Sequence, residues 1–439
     1  MSFREGLRNA RSHIVFLLAM ISAGGLVLAL QAWQPGAGLG FKESVLASAQ
    51  PLPAPAAHRP LTGKERQWAD AAWTYFKNNY QPATGLANSV DQYPASTMWD
   101  TGSYLMALIS AHRLALIGEA EFDTKMSRAL GSLARIPLFD QKLPNKSYNT
   151  ISLAMVDYNN QPTGRGLGWS AIDVGRLLTP FNILMWNYPG HSGEVKAVLK
   201  RWDLSQLLQQ GQLHGSAVDP AGQTVYLQEG RFGYEQYSAK AFGLMGLDVS
   251  NALSYYDHLK LVKIEGVSVP TDDRRADQYH AHVYAVSEPY ILDGLEYGWD
   301  ASSRIFARRL YQAQVNRFKR TGVLTAVSED NLDQAPYFAY NTVWADGKPW
   351  NTITDEGKDV SDFRSLSAKA AIGWLALYQD DYTARLAAAM DGLFDPSKGW
   401  YAGRYERDGR ANQALTANTN AIVLESLSYL QNGIAVKMY

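Results

Sequence analysis

From Thr62 onward the chain alternates helix-length segments in pairs, and six such pairs in succession leave few ways to fold. By apolar spacing the pairs are 65–79 with 100–117, 121–134 with 169–186, 193–210 with 234–247, 249–262 with 288–297, 302–320 with 365–378, and 381–394 with 416–431. The second member of each pair is richer in small and apolar residues, as in SYLMALISAHRLALI, SAKAFGLMGL, SAKAAIGWLALY and NAIVLESLSYL. A helix that is apolar around most of its girth is surrounded by protein, whereas one with a polar stripe faces water. The pattern predicts an all-α (α/α)6 toroid over residues 62–439, with the second helices forming an inner ring. Stretches 222–230, 323–350 and 399–414 carry turn residues and alternating aromatics, so short hairpins and loops over one mouth are expected. A competing parse, an irregular α+β fold, places strands near 267–286 and 324–344.

Upstream, Arg4, Arg8 and Arg11 precede an apolar run over 14–30, and no charge follows until Lys42. That arrangement reads as an export signal oriented by its basic flank and long enough to span a bilayer. Ala47, Ser48 and Ala49 offer a cleavage site, but far beyond the apolar run, which favours an uncleaved transmembrane anchor over residues 1–33. Residues 34–61, with QPLPAPAAHRP, form a Pro/Ala-rich linker. The helical domain is therefore expected outside the cytoplasmic membrane, in the periplasm or beyond, tethered to the inner membrane.

Formal net charge is −1, from 41 basic and 42 acidic side chains, so no long-range field draws the chain to nucleic acid. Cysteine is absent, which removes disulfides, thiolate metal sites and thiol nucleophiles. Twelve Trp and 25 Tyr supply flat amphipathic rings, which suit helix interfaces and sugar faces alike. No phosphate loop, nucleophile elbow or dinucleotide fingerprint is present. His280 and His282 lack a third ligand nearby, and the acids around Glu329 do not follow a calcium-loop spacing, so no metal or other cofactor is expected.

In an alternating toroid the inner helices aim their N-termini at one face, so residues at those starts converge. Trp99, Asp100, Trp169, Asp173, Tyr234, Glu235, Glu288, Asp362, Asn418 and Asn420 are such residues, and the loop acids Glu329, Asp330 and Glu406 can hang over the same mouth. Glycosidic hydrolysis needs one protonated and one ionised carboxyl, about 5 to 9.5 Å apart. Glu235 is the preferred general acid and Glu288 the second carboxylate, with Asp100, Asp173 and Glu329 in reserve. Against this, Asp100 and Asp362 also fit helix caps, Asp173 an ion pair with Arg176, and either glutamate a carboxylate at a helix dipole. Trp99, Trp169, Tyr234, Tyr290, Trp344 and Trp350 are candidate stacking platforms. Tyr104 and Asn420 are candidate hydrogen-bonding groups for sugar hydroxyls.

The runs MWDTGSYLMALISA, RGLGWSAIDVGRLL, GYEQYSAKAFGLMG, SEPYILDGLEYG, TAVSEDNLDQAPYFAYN, LSAKAAIGWLALY, GWYAGRYERDG and LTANTNAIVLESLSY resemble an uncharacterised exported bacterial family, domain of unknown function 3131. That family is similar in plan to (α/α)6 glucanases, including those acting on β-1,2-glucans. The resemblance implies a carbohydrate-active envelope protein with a polysaccharide or oligosaccharide as partner, in association with exopolysaccharide machinery. A glycoside hydrolase or transglycosylase is the first reading. A non-catalytic glycan-binding or scaffolding subunit of an exopolysaccharide system is the second, and a polysaccharide lyase, with Arg231 or Arg404 neutralising uronates, the third.

Overall fold

A computed structural model of the chain describes residues 56–279 and 281–437. The anchor expected over 1–33, most of the linker and His280 lie outside the described residues. Among the described residues no helix is long and apolar enough to cross a membrane.

The helices are α1 (Gly63–Asn79), α2 (Met98–Arg113), α3 (Glu119–Leu133), α4 (Ala171–Asn187), α5 (Ser192–Leu199), α6 (Tyr234–Leu244), α7 (Glu288–Tyr297), α8 (Ala301–Thr321), α9 (Ala368–Tyr378), α10 (Asp381–Ala388) and α11 (Ala417–Asn432). Helices α2, α4, α6, α7, α9 and α11 form the inner ring; each packs on the next, and α11 closes onto α2. Burial follows the sequence pattern: α9 is buried from Ala368 through Leu377, whereas α8, on the outside, keeps exposed basic residues in its last turn. Close approach within the ring requires a missing side chain at Gly175, where a Cβ would lie 2.6 Å from Ser238 Cβ of α6.

Local chemistry sets where the inner helices begin. The side chains of Thr97, Ser170 and Thr416 accept from the backbone N–H of Asp100, Asp173 and Thr419 and so cap α2, α4 and α11. Asp100 and Asp173 are thus third-position residues of capped helices, and their carboxyls are not the caps.

Three expectations need correction. The outer segment over 249–262 is not a helix; residues 259–272 form a hairpin, β3 (Leu259–Ile264) with β4 (Val267–Asp272). Here Leu, Val and Ile, with exposed Lys at 260 and 263, suit a strand, and Glu265 and Gly266 both adopt positive φ (48° and 79°), as a two-residue hairpin turn demands. The hairpin packs on α8, so among the described residues five outer helices and one hairpin surround the ring. The segment over 193–210 is α-helical only as α5, with a single 3₁₀ turn at Leu204–Leu207; residues 208–209 pair instead with the start of β1 (Gln212–Val218), whose other edge carries β2 (Thr224–Gln228). The fold is therefore a helical toroid with substantial β-structure rather than all-α. Further short strands cover the mouth: β5 (Glu329–Asn331) pairs with β6 (Phe338–Asn341), and β7 (Ser365–Ser367) and β9 (Ala411–Leu415) flank β8 (Gly399–Tyr405).

At the centre of the ring sits Arg176 of α4, fully buried. It pairs with Glu296 of α7 and, at 2.6 Å, with Glu425 of α11. Its guanidinium also donates to Tyr237 Oη of α6 (3.0 Å) and Ser103 Oγ of α2 (3.3 Å), while Tyr237 donates to Glu296 (2.8 Å). Burial pushes Glu296 upward against the pull of Arg176, and the neighbouring Glu425 carboxyl adds to the rise. Removing one member of a buried ion network leaves the others uncompensated, at about 3–5 kcal/mol. Arg176→Met is expected to cost that much and Glu296→Gln clearly less; thermal melts of the two variants check the order.

Candidate functional site

The mouth is assembled from inner-helix starts. Asn418, in the first turn of α11, donates from Nδ2 to Glu288 Oε1 of α7 (2.9 Å), and its Oδ1 accepts from Trp99 Nε1 and Ser103 Oγ of α2, both at 3.4 Å. Glu288 is 1% exposed, and its other oxygen meets Nζ of Lys369, in the first turn of α9. The same ammonium lies 3.8 Å from Asp330 Oδ1 of β5, and its charge acts on Glu329 and Asp100. Three of the five predicted catalytic acids, Asp100, Glu288 and Glu329, thus gather around one lysine. Trp99, Asp100, Asp173 and Asn418 are partly exposed, which opens this assembly to solvent.

These acids do not share one protonation state. Burial pushes Asp330 to about 8 and Glu329 to about 7, in each case against the pull of Lys369. Asp100 is raised, because burial outweighs its hydrogen bonds from Ser89 and Thr97. Asp173 is pushed to about 7, first by burial and then by the charge of nearby Glu229. Glu229 itself accepts from the backbone N–H of Ala171 at the start of α4. Tyrosines border these groups. Tyr158, with 65% of its surface exposed, feels the charges of Asp173 and Glu229. Tyr284 and Tyr340 stack with centroids 4.0 Å apart, and Tyr340 feels Glu329.

Glu235 belongs to a different cluster. It is 2% exposed; Oε1 accepts from Gln228 (3.0 Å), and Oε2 pairs with Arg274 (2.7 Å), which also holds Asp272 at the end of β4. Burial raises it and Arg274 pulls it back. This geometry clamps the start of α6 to the hairpin. Of the expected platforms, Trp99 lies at the mouth, edge-on to Tyr234 at 5.6 Å, and Trp344 is partly exposed on a short strand pairing with Tyr284–Ala285.

Others are interior. Trp169 is fully buried, Tyr290 is 3% exposed, and Tyr104 is 1% exposed against Phe76. Trp350, 8% exposed, donates to Glu265 on the hairpin turn. Asn420 is fully buried and clamps the backbone of Trp400 and Thr416. These five pack or brace the fold and offer no face to a sugar. Asp362 is exposed near Arg407, and Glu406 pairs with Arg317 (2.6 Å). His282 pairs with Asp346 (2.6 Å).

Lys369 escaped the sequence reading, though a signal was there. The tetrapeptide SAKA occurs at 238–241 and 367–370, each time placing one lysine in an apolar inner helix, where only a paired lysine is tolerated. Lys240 pairs with Asp293 (2.6 Å) and Lys369 with Glu288, both acids on α7.

A carboxyl that holds its proton to about pH 7 when folded, but loses it near 4 when unfolded, makes stability fall as pH rises through that window. Asp173→Asn and Glu329→Gln are therefore expected to melt about 2–5 °C above wild type at pH 8 and close to it at pH 4. Melting temperatures across that range check this.

Comparison with known proteins bears on the whole assembly. The family described as "Protein of unknown function (DUF3131)" matches residues 67–433. No curated protein matches the chain. Among solved structures, a glucoamylase-like protein of Bacteroides fragilis aligns with TM-score 0.60 at 12% identity, covering 87% of this chain and 95% of its own. The endo-β-1,2-glucanase of Chitinophaga pinensis, in complex with sophorotriose and glucose, aligns with TM-score 0.58 at 9% identity, covering 86% and 94%. That of Talaromyces funiculosus, in complex with sophorose, aligns with TM-score 0.57 at 13% identity, covering 85% of each chain. At such identities the likeness establishes the toroidal fold.

Proposed function

We propose, for a chain that belongs to the family of proteins of unknown function DUF3131, that the mouth is the active site of a glycoside hydrolase or transglycosylase acting on an extended bacterial glucan or exopolysaccharide. The observation that carries this reading is that one open, aromatic-bordered mouth holds a carboxyl poised near neutrality, Asp173, and a carboxyl in contact with a buried lysine, Glu288, with Asp100 acting on the first and feeling the charge of the second. Asp173, pushed to about 7 and partly exposed, suits the proton donor. Glu288, held by Lys369 and Asn418, suits the second carboxylate. We assign donation to Asp173 rather than Glu235 because the Arg274 guanidinium in contact with Glu235 opposes its protonated form.

In the reaction, the Asp173 proton goes to the leaving glycosidic oxygen as its bond to the anomeric carbon breaks. Glu288 either bonds to that carbon or takes a proton from the water that does, the shorter carboxyl separation giving the first and the longer the second. Trp99, Tyr158 and the stacked Tyr284 and Tyr340 suit sugar faces. The β-1,2-glucanases of the same fold favour a glucan.

An uncharged glycan fits better than a uronate. Arg231 is tied to Gln228 and to the carbonyls of Gly230, Tyr279 and Ala281, and Arg404 reaches the Asp391 carbonyl, whereas the mouth gathers Asp100, Glu288, Glu329 and Asp330 about a lysine already in contact with Glu288, which disfavours a further carboxylate. The basic flank and apolar run over 14–30 support an inner-membrane anchor that leaves this domain facing the periplasm.

Incubating residues 56–439 with a panel of bacterial glucans and exopolysaccharides is expected to release oligosaccharides from uncharged polymers. Glu288→Gln and Asp173→Asn should each lose about 10²–10⁴-fold in turnover on natural glycans. On aryl glycosides with a good leaving group, which needs no protonation, Asp173→Asn should recover and Glu288→Gln should not. Saturable glycan binding with no product from any polymer would reject the enzyme and leave the non-catalytic binding subunit.

A further inference from the structure

Lys369 is 3% exposed, and α9 around it is otherwise apolar. Its partners arrive from other elements: Glu288 from the start of α7, Glu329 and Asp330 from β5, and, at longer range, Asp100 from α2. Four carboxyls therefore face one ammonium, and they face it unequally. Glu288 is in direct contact, Asp330 Oδ1 is 3.8 Å away, and Glu329 and Asp100 act through space.

One buried positive charge offsets about one negative charge, and the gain is greatest for the nearest partner. The remaining acids must then hold protons, in keeping with burial raising Asp330, Glu329 and Asp100. Asn418 fixes the other oxygen of Glu288 and, through its own carbonyl, faces the exposed side of the mouth at Trp99. Lys369 thus touches the acid that would react and is itself buried.

We propose that Lys369 is a positioning residue which, by seating its ammonium against Glu288, selects that acid as the working carboxylate of the mouth and leaves its neighbours as proton carriers. This inference rests on the hydrolase reading above. It predicts that Lys369 acts on turnover and on its pH dependence, through Glu288, and hardly at all on glycan affinity.

The test is steady-state kinetics from pH 4 to 9 on whichever glycan the wild type cleaves, for wild type, Lys369→Met and Lys369→Arg. Lys369→Met is expected to lose about 100-fold in kcat and to move the acid limb of kcat/KM upward by about one pH unit or more, with KM little changed. Lys369→Arg should restore most of kcat and the original limb. Should Lys369→Met fail to fold by circular dichroism, the double variant Glu288→Gln/Lys369→Met, in which both charges are gone, replaces it. Residual activity equal to that of Glu288→Gln alone supports the proposal, and a further loss overturns it. An unmoved pH profile in active Lys369→Met, or a loss carried by KM, overturns this role alone. Wild-type inactivity on every glycan removes the hydrolase reading and this role with it.

Discussion

One guanidinium holds the inner ring together. Arg176 reaches Ser103, Tyr237, Glu296 and Glu425, so a single side chain on α4 touches α2, α6, α7 and α11 as well, five of the six inner helices. Hydrophobic burial brings helices together without fixing their rotation; a buried charge with several obligatory partners does fix it, because each unmet partner is costly. The position of Trp99 follows, since its ring lies 5.8 Å from the Arg176 guanidinium, and so does that of Asn418, which shares Ser103 with the same network. The mouth is thus built directly on top of the structural hub.

Much of this plan was legible in the chain. Helix periodicity located eight of the outer and inner segments to within about four residues at each end, α7 over 288–297 in full, and the start of α10, which ends at Ala388, because an inner helix shielded by protein shows a long apolar run with a clear polar boundary. The segment over 249–262 misled because apolar residues near its end satisfy helical spacing by coincidence. The Leu, Val and Ile of LKLVKI followed by Glu265-Gly266 carried the hairpin signal, and the turn, not the period, settles the matter. The acids at helix starts were legible as a set, since topology alone brings them to one face.

What the sequence withheld was partnership. Glu235 and Glu288 look alike in the chain, each beside a tyrosine at the start of an apolar helix. One faces Arg274 from a hairpin that the helical parse did not contain, and the other faces Lys369 from a helix 81 positions away. Aromatic residues divide in the same manner. Trp99 and Trp169 both precede or open inner helices, yet Trp169 is fully buried against Phe139 and Tyr226, whereas Trp99 is partly open. Exposure of a large ring depends on what the intervening loop covers, and loops carry no periodicity from which to read it.

The two buried charge systems differ in a way that separates structure from chemistry. Around Arg176, one cation meets two acids and a tyrosine in a sealed interior. Around Lys369, one cation meets four acids, and the assembly is continuous with partly exposed Trp99, Asp100 and Asn418. An excess of carboxyls next to solvent costs stability, because each must either hold its proton above its ordinary range or remain charged at low dielectric. No packing requirement calls for that excess, since apolar residues would fill the same volume at lower free energy. Such a cluster, where the starts of α2, α4, α7, α9 and α11 come together, holds groups able to give and take protons near neutral pH, and under the hydrolase reading that chemistry, rather than stability, accounts for the composition of the mouth.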